Sequence, residues 1–470
     1  MTEFPRHPQL EVLQDRLAFL RDSYLGGIDY KKKAYLPEYG NEDKEDYERR
    51  LKQATYTNHC SSILEAYNNY LFSGEISRDS FKGLSGVEFD AFMADADMMG
   101  RSYEKMIREL SKQAGSSGFI GVILDKPKGE EASKGAEIAA GIRPYMSAYV
   151  ASSIIDYEME YIDGSRTLTK LVLEEETGET DVLTYKVWYR DKWQLWEKKK
   201  EKEWVMTQEG TNPINTIPFI SIINRDKDFH PIIGKSDIAD IADINNRVYR
   251  FDSDAENIIE QCTFPWLQGP QASIDAISKG GLSTKTAVPV PDSDEGAAEL
   301  KFTEPVHSSL PQIMAWREAA VQDIKDMSKL EAGQGTQQAE SGIALEIQFR
   351  PLNSMLTEKA ENMELAETRI LELLGAYLGQ TFAGVVTYPR EFAVMDLMQE
   401  LDIAITAKSA VKSRTFAAEI EKIVADKALP DVDPKTMKII VAEIDAAAAE
   451  PDMTDIDNIN QGGGDEEETT

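Results

Sequence analysis

The sequence predicts an α+β protein, mainly helical, made of more than one structural unit. Apolar residues recur at helical spacing over most of its length. Between residues 119 and 224 the pattern changes to short runs rich in β-branched and aromatic residues, separated by turn signals. The chain has 470 residues, 41% hydrophobic and 29% charged. That is a globular balance, with length for about two to four units.

The N-terminal third reads as helices. Val12, Leu13, Leu17, Phe19 and Leu20 lie near one face of a helix over Glu11 to Leu25, which Gly26-Gly27 ends. Glu45 to Leu71 reads as one longer helix, with Tyr47, Leu51, Tyr56, Ile63, Tyr67 and Leu71 in phase. Val87 to Gly100 and Tyr103 to Ala114 follow.

At Gly115-Ser-Ser-Gly118 the period shifts. Phe119 to Leu124 reads as a buried strand, Lys126 to Gly141 as a loop, and Arg143-Pro144-Tyr145 as the opening of a helix with Pro in its first turn. Then comes an antiparallel meander: Tyr157 to Tyr161, Leu168 to Glu174, Val182 to Tyr189, Gln194 to Lys198 and Trp204 to Gln208. Asp163-Gly164, Thr177-Gly178 and Arg190-Asp191 supply its turns. Trp188, Trp193, Trp196 and Trp204 lie here beside Lys198, Lys199, Lys200 and Lys202. Aromatics among lysines can stack on nucleic-acid bases. Glu197, Glu201 and Glu203 cancel most of that charge, so sheet packing with a basic hairpin tip is the preferred reading. Ile214 to Asn224 closes the region as an edge strand, with Pro213 and Pro218 at its margins.

From Ser236-Asp237, a helix N-cap, a rod runs to Cys262, about 37 Å long. One stripe is apolar; the other carries Asp240, Asp243, Asp252, Asp254, Glu256 and Glu260. Phe264-Pro-Trp-Leu-Gln-Gly-Pro270 breaks it. A mixed segment follows, with a helical turn at Ile274 to Ser278 and short strands at Ala287 to Val290 and Glu299 to Phe302. Leu310 to Leu330 is a second rod, with Ile313, Trp316, Ala320 and Ile324 aligned. A Gly/Gln-rich loop leads to the longest helix, Ile343 to Leu378, in which Pro351 should cause a kink before Gly379 ends it. Short strands are expected at Val385 to Tyr388 and Phe392 to Val394. Helices follow at Asp396 to Ala407, Ser413 to Lys427 and Asp433 to Ala449, then an acidic tail expected to be disordered.

Function is first bounded by exclusion. With 51 Lys+Arg against 83 Asp+Glu the net charge is −32, which opposes tight phosphate-neutralising DNA binding and docking on anionic lipid. No apolar run approaches the 18 or so residues of a membrane helix, and residues 1–10 lack a signal core. Cys60 and Cys262 form no disulfide framework, and the four histidines have no metal-ligand spacing. Phosphate-binding, dinucleotide-binding and serine-hydrolase motifs are absent. Asp292-Ser-Asp-Glu-Gly296 lacks the full ligand spacing of a calcium loop. A non-enzymatic role with no cofactor and no metal is therefore expected.

The order of parts is informative: a helical and β-meander region, a long polar-faced helix, a Pro-rich insert, a second long helix, a Gly/Gln loop, a Pro-containing helix and a helical end. With it come local strings: Asp15-Arg16-Leu17-Ala18-Phe19-Leu20-Arg21-Asp22, Tyr35-Leu36-Pro37, Tyr47-Glu-Arg-Arg-Leu51 with Ala54-Thr-Tyr-Thr-Asn58, Ser236-Asp237-Ile238 with Asn245-Asn246, and Glu340-Ser-Gly-Ile-Ala-Leu345. The chain in this respect resembles the portal proteins of tailed bacteriophages, the head-to-tail connector family. The resemblance implies a wing over 1–117 (helical) and 118–235 (β-rich), a first stem helix over 236–263, a clip over 264–307, and a second stem helix over 308–330. It further implies a tunnel loop over 331–342, a long helix and wing return over 343–388, a helical crown over 389–454, and a tail over 455–470.

It also implies a function: a ring, commonly of twelve identical subunits, at one capsid vertex, through which double-stranded genome DNA is packaged and ejected. The implied partners are the terminase large subunit, a head-completion or adaptor protein, and the major capsid and scaffolding proteins, with no membrane. The implied location is the virion, and the host cytoplasm during assembly. Acidic lining suits such a channel, because a basic lumen would gain counterion-release affinity and hold the DNA. Expected channel residues are Gln334, Gln337, Gln338, Glu331, Asp323 and Asp254. Expected subunit contacts are Arg247, Arg250, Arg317 and Lys325, and expected docking residues on the clip are Trp266, Asp292, Asp294 and Lys301. Two other classes compete: a non-catalytic acidic helical adaptor or scaffold forming small oligomers, and a metal-dependent nuclease using carboxylates such as Asp292 and Asp294.

Overall fold

The computed structural model describes residues 3–32, 35–40, 42–129, 131–178, 181–200, 202–263, 266–268, 301–303, 309–330, 342–392, 413–428 and 432–449. The expected helix at 274–278, strand at 287–290, loop at 331–341, helix at 396–407 and acidic tail lie outside them. The chain divides into two compact units, Met1–Thr336 with Gln348–Phe392, and Gln337–Ile347 with Ala393–Thr470.

The first unit opens with α1 (Pro8–Leu25), α2 (Gly27–Lys32), α3 (Lys44–Gln53), α4 (His59–Leu71), α5 (Val87–Ala94) and α6 (Tyr103–Ser117). The single helix expected over 45–71 is two. Tyr56 is pulled out of helical phase into a stack on Tyr30, ring centroids 3.9 Å apart, and its hydroxyl donates to the Ser23 carbonyl. Asn58 then caps α4, its side chain accepting from Ser61 N at 2.9 Å. α6 ends at Gly118 in the left-handed region, where a Cβ would lie 2.5 Å from the Gly234 carbonyl oxygen.

A three-stranded sheet follows, in the order β2-β1-β8: β1 (Phe119–Asp125) is central, flanked by β2 (Tyr145–Val150) and β8 (Phe219–Ile223), both antiparallel to it. Alternation on β1 sends Ile120, Val122 and Leu124 into the main core with α4 and α6, and Phe119 and Ile123 into a second core. Residues 126–141, expected as loop throughout, contain a short helix, α7 (Lys134–Ala139), capped by Ser133. The helix expected after Arg143 is instead β2. A residue before proline is biased against helical geometry, and the buried Arg143 guanidinium is fixed to the Asp95 carbonyl at 2.6 Å and its carboxylate at 2.7 Å. The chain therefore enters extended and pairs from Asp125↔Tyr145 to Ile120↔Val150.

The meander forms as expected: β3 (Ile154–Ile162), β4 (Ser165–Glu175), β5 (Val182–Tyr189), β6 (Lys192–Lys199) and β7 (Val205–Thr211) make one antiparallel sheet in sequence order. Asp163 and Gly164, both at positive φ, turn β3 into β4. Trp188 is buried in the second core with Leu10, Leu17, Tyr157 and Leu171. Trp196 and Trp204 pack edge-on against Phe4, so these rings serve packing. The edge strand expected over 214–224 is shorter, and pairs with β1 rather than the meander.

α8 (Ala239–Thr263) and α9 (Leu310–Ser328) pack side by side, joined through a two-stranded antiparallel ladder of β9 (Trp266–Gln268) and β10 (Lys301–Thr303). α10 (Gly342–Leu378) is continuous helix through Pro351, whose position faces solvent. Gly379, at φ 67, follows it. The expected strand at 385–388 is one bridge, Ser77↔Thr387. The second unit contains α11 (Arg414–Ala428) and α12 (Pro434–Ala449), tied by Lys422 to Asp445 at 2.6 Å.

Asn245 pins α8 to the start of α4. Its fully buried amide accepts from His59 N and donates to the Thr57 carbonyl, both at 2.9 Å. Asn245→Ala removes both bonds, leaving His59 N with only its 3.1 Å contact to the Thr57 carbonyl, and should lower unfolding free energy by about 1 kcal/mol in urea titration. Asn246→Ala, losing bonds to the Tyr30 hydroxyl and the Tyr35 carbonyl, should cost less, because Asn246 is only half-buried.

Candidate functional site

α8 and α9 pack together and carry exposed charges of both signs. Their seam is apolar: Ile241, Ala242, Val248, Ala255, Ala320 and Ile324 are buried. Across it Arg317 Nε meets Asp252 Oδ1 at 2.5 Å.

The acidic face expected on α8 is largely engaged by its own chain. Arg16 forks onto Asp243 at 2.9 and 2.7 Å. Asp254 accepts from the Tyr39 hydroxyl, which burial and that carboxylate push well above the usual phenol range. Arg49 lies 3.9 Å from Glu260. Asp240 and Glu256 stay largely exposed; partial burial of the Glu256 carboxyl, then the neighbouring Asp252, raises it above its ordinary value.

α8 also offers bases to solvent. Arg247 and Arg250 stand on one exposed edge, three residues apart, and make no ion pair among the described residues. α9 exposes more acid than base. Glu318 and Asp323 are exposed and make no ion pair among the described residues, and Asp326 is exposed, accepting from Gln322. Beside them Trp316 is 59% exposed, with Met314 and Met327 also open. The apolar stripe read through Ile313, Trp316, Ala320 and Ile324 is thus only half used: Ala320 and Ile324 enter the core and Trp316 does not.

Of the other residues singled out from the sequence, Arg317 meets an acid of its own chain and Lys325 is exposed on α9. Trp266 lies on β9 opposite Thr303, and Lys301 on β10 opposite Gln268. Glu331, Gln334, Gln337, Gln338, Asp292 and Asp294 lie outside the described residues. Among the described residues no cluster of His, Cys, Asp and Glu is placed to hold a metal ion, and no helix is long and apolar enough to cross a membrane. Sequence reasoning missed the clamps on the α8 acids. Arg16 and Tyr39 lie more than 200 positions from their partners, and no local pattern marks such pairs.

No protein-family model matches the chain, and comparison with curated proteins gives no match. Among solved structures the chain is similar to one from the neck of an empty GTA particle, computed with C6 symmetry. The TM-score is 0.42 at 12% identity, over 83% of this chain and 95% of the other. It is also similar to one from the neck of a native GTA particle, computed with C12 symmetry, with TM-score 0.42 at 10% identity, over 81% of this chain and 88% of the other.

Proposed function

We propose that copies of this chain assemble head to tail into a closed ring that acts as the portal of a tailed-phage-type capsid, without catalysis of its own. One observation carries the reading: arginines without an ion pair on the exposed edge of α8, and acids without one beside an uncovered Trp316 on α9. Two different, complementary patches on one helical hairpin make a heterologous contact, and such contacts close into rings when the rotation allows. The order of parts that resembles portals gives the ring its role. Double-stranded DNA passes through the channel during packaging and ejection. The segment 264–307 serves the terminase large subunit and later a head-completion protein, and the ring sits at a capsid vertex in the virion. The net charge of −32 suits a channel that passes DNA without gripping it.

Negative-stain microscopy of the purified chain tests this: rings with a central hole are expected, and compact single particles would point to the adaptor class. The contact has its own test. Arg247→Glu with Arg250→Glu places acid against acid and should give monomers by native mass spectrometry. Intact rings from that variant would remove α8 from the interface.

A further inference from the structure

A knob and a hole lie elsewhere on the first unit. The knob is the loop between β8 and α8. Asp228 and Phe229 both adopt positive φ, 49° and 55°, a conformation that costs a non-glycine residue about 1–2 kcal/mol, and the Phe229 ring is wholly exposed. The loop is nevertheless fixed. His230 Nδ1 accepts from the backbone N–H groups of Ile232 and Ile233, at 3.1 and 2.8 Å, which leaves Nε2 to donate to Gln9 Oε1 at 2.8 Å. Ile232 and Ile233 are buried, and Asp226 N donates to Glu358 Oε1 of α10 at 3.0 Å. Backbone strain held by this many anchors, presenting an aromatic ring that none of the described residues covers, is a feature of functional surfaces.

The hole is a cavity of about 550 Å³ between the end of β1, the meander and the C-terminal part of α10. That volume lies within the range of about 300–1,000 Å³ usual for ligand sites. Trp193, Pro213, Ile214 and Tyr377 line it, and Lys128 stands at its edge, exposed and with no ion pair among the described residues. Trp193 is held flat on Gly210, where an added Cβ would collide with the indole. Trp188 also lines the cavity, and its buried indole N–H has no acceptor among the described residues. Asp125 and Lys126 also line it but are paired with Lys186 and Glu88, so an aromatic wall with the open cation of Lys128 suits an aromatic group beside a carboxylate. Asp228-Phe229 is such a pair.

The loop cannot enter its own cavity. It is tied to α10 at Glu358 and Asn362, whereas the cavity lies at Ala376 and Tyr377, about 21 Å further along the helix. We infer that Phe229 of one copy seats in the Trp193–Tyr377 cavity of the next, with Asp228 on Lys128. This rests on the self-assembly proposed above and adds a second heterologous contact to it.

The test uses the full chain with p-benzoylphenylalanine at position 229, assembled from a mixture of isotopically labelled and unlabelled copies. Irradiation and peptide mapping should give cross-links from residue 229 of one isotope to residues 126–129 or 211–214 of the other. Phe229→Asp, an exposed change that leaves the circular dichroism spectrum intact, should raise the half-assembly concentration at least about tenfold; Phe229→Leu should retain most assembly. Rings that cross-link elsewhere, within one chain or to another protein, overturn this contact alone. A chain that forms no rings overturns both the contact and the reading it rests on.

Discussion

Replacing Glu367 with alanine should unfold the first unit more readily than any surface change, costing about 3–5 kcal/mol. The Glu367 side chain is fully buried on α10 and accepts four hydrogen bonds from three residues. Arg78 reaches it through Nε at 2.7 Å and Nη2 at 3.2 Å, the Tyr103 hydroxyl at 3.1 Å, and the Tyr388 hydroxyl completes the set. Arg78 is 7% exposed, and its second partner, Glu104 at 2.5 Å, is half open to solvent. Alanine would leave a buried guanidinium with one exposed partner and strand two hydroxyls that burial, then the Glu367 charge, now hold far above the usual phenol range. Such a group costs its full desolvation when its partner leaves. Glu367→Gln keeps the shape and an acceptor oxygen and should cost roughly half as much. Urea titration checks both. A loss below about 1 kcal/mol for the alanine variant would mean that Arg78 finds water there, against the burial that sets its cost.

That cluster explains why parts distant in sequence form one body. The residues between α4 and α5, α6, α10 and the segment after it converge on one carboxylate. The strand bridge Ser77↔Thr387 lies alongside. A hydrophobic core with the same members would bury area but leave register loose; directional bonds to a single acceptor fix it.

Legibility from sequence follows the range of the interactions. The meander was readable because each strand carries its own alternation and each turn its own residues, as at Asp163-Gly164. The edges of α8 were readable too: Val248 and Tyr249 are buried while Arg247 and Arg250 are exposed, which is helical phase. The strand at 145–150 was not, because Pro144 suits a helix start as well as an extended entry. The choice is made by Asp95, 48 residues earlier. Similarly, the break at 54–58 depends on Tyr30, Tyr56 and Tyr249 meeting. The strings of the N-terminal region and of the start of α8 that carry the portal resemblance fall on such contacts. Asn245 bonds to Thr57 and Asn246 to Tyr35, so these strings mark how α8 is seated on the helical region. The exposure of Trp316 was out of reach for a related reason: a stripe read along one helix does not say how much of it another element of the same chain covers.

The seat of α8 also sets the second large effect. Ser236 and Asp237 lock the start of α8 onto the end of α6. The Ser236 hydroxyl donates to the Ser116 carbonyl at 2.7 Å, and Asp237 N donates to the Gly115 carbonyl at 3.0 Å. The Asp237 carboxylate, fully buried, is bonded to Lys359 of α10 and lies 3.0 Å from Arg225 Nε, close enough for an ion pair but not aligned as a hydrogen bond. Lys359 is itself only 4% exposed. Asp237→Ala should cost about 3–5 kcal/mol, because the ammonium is left buried without its partner. Lys359→Met fills nearly the same volume without charge, and the pair of changes together should cost less than Asp237→Ala alone, a negative deviation from additivity read from a double-mutant cycle. If the double variant instead loses the sum of the two single losses, Asp237 acts through its backbone and Arg225, and the contact with Lys359 contributes nothing separable. Because α8 bears Arg247 and Arg250, the same loosening should reach the proposed assembly: Asp237→Ala should weaken the proposed ring by a larger factor than its effect on monomer stability at low urea, and Lys359→Met should restore it in step with folding.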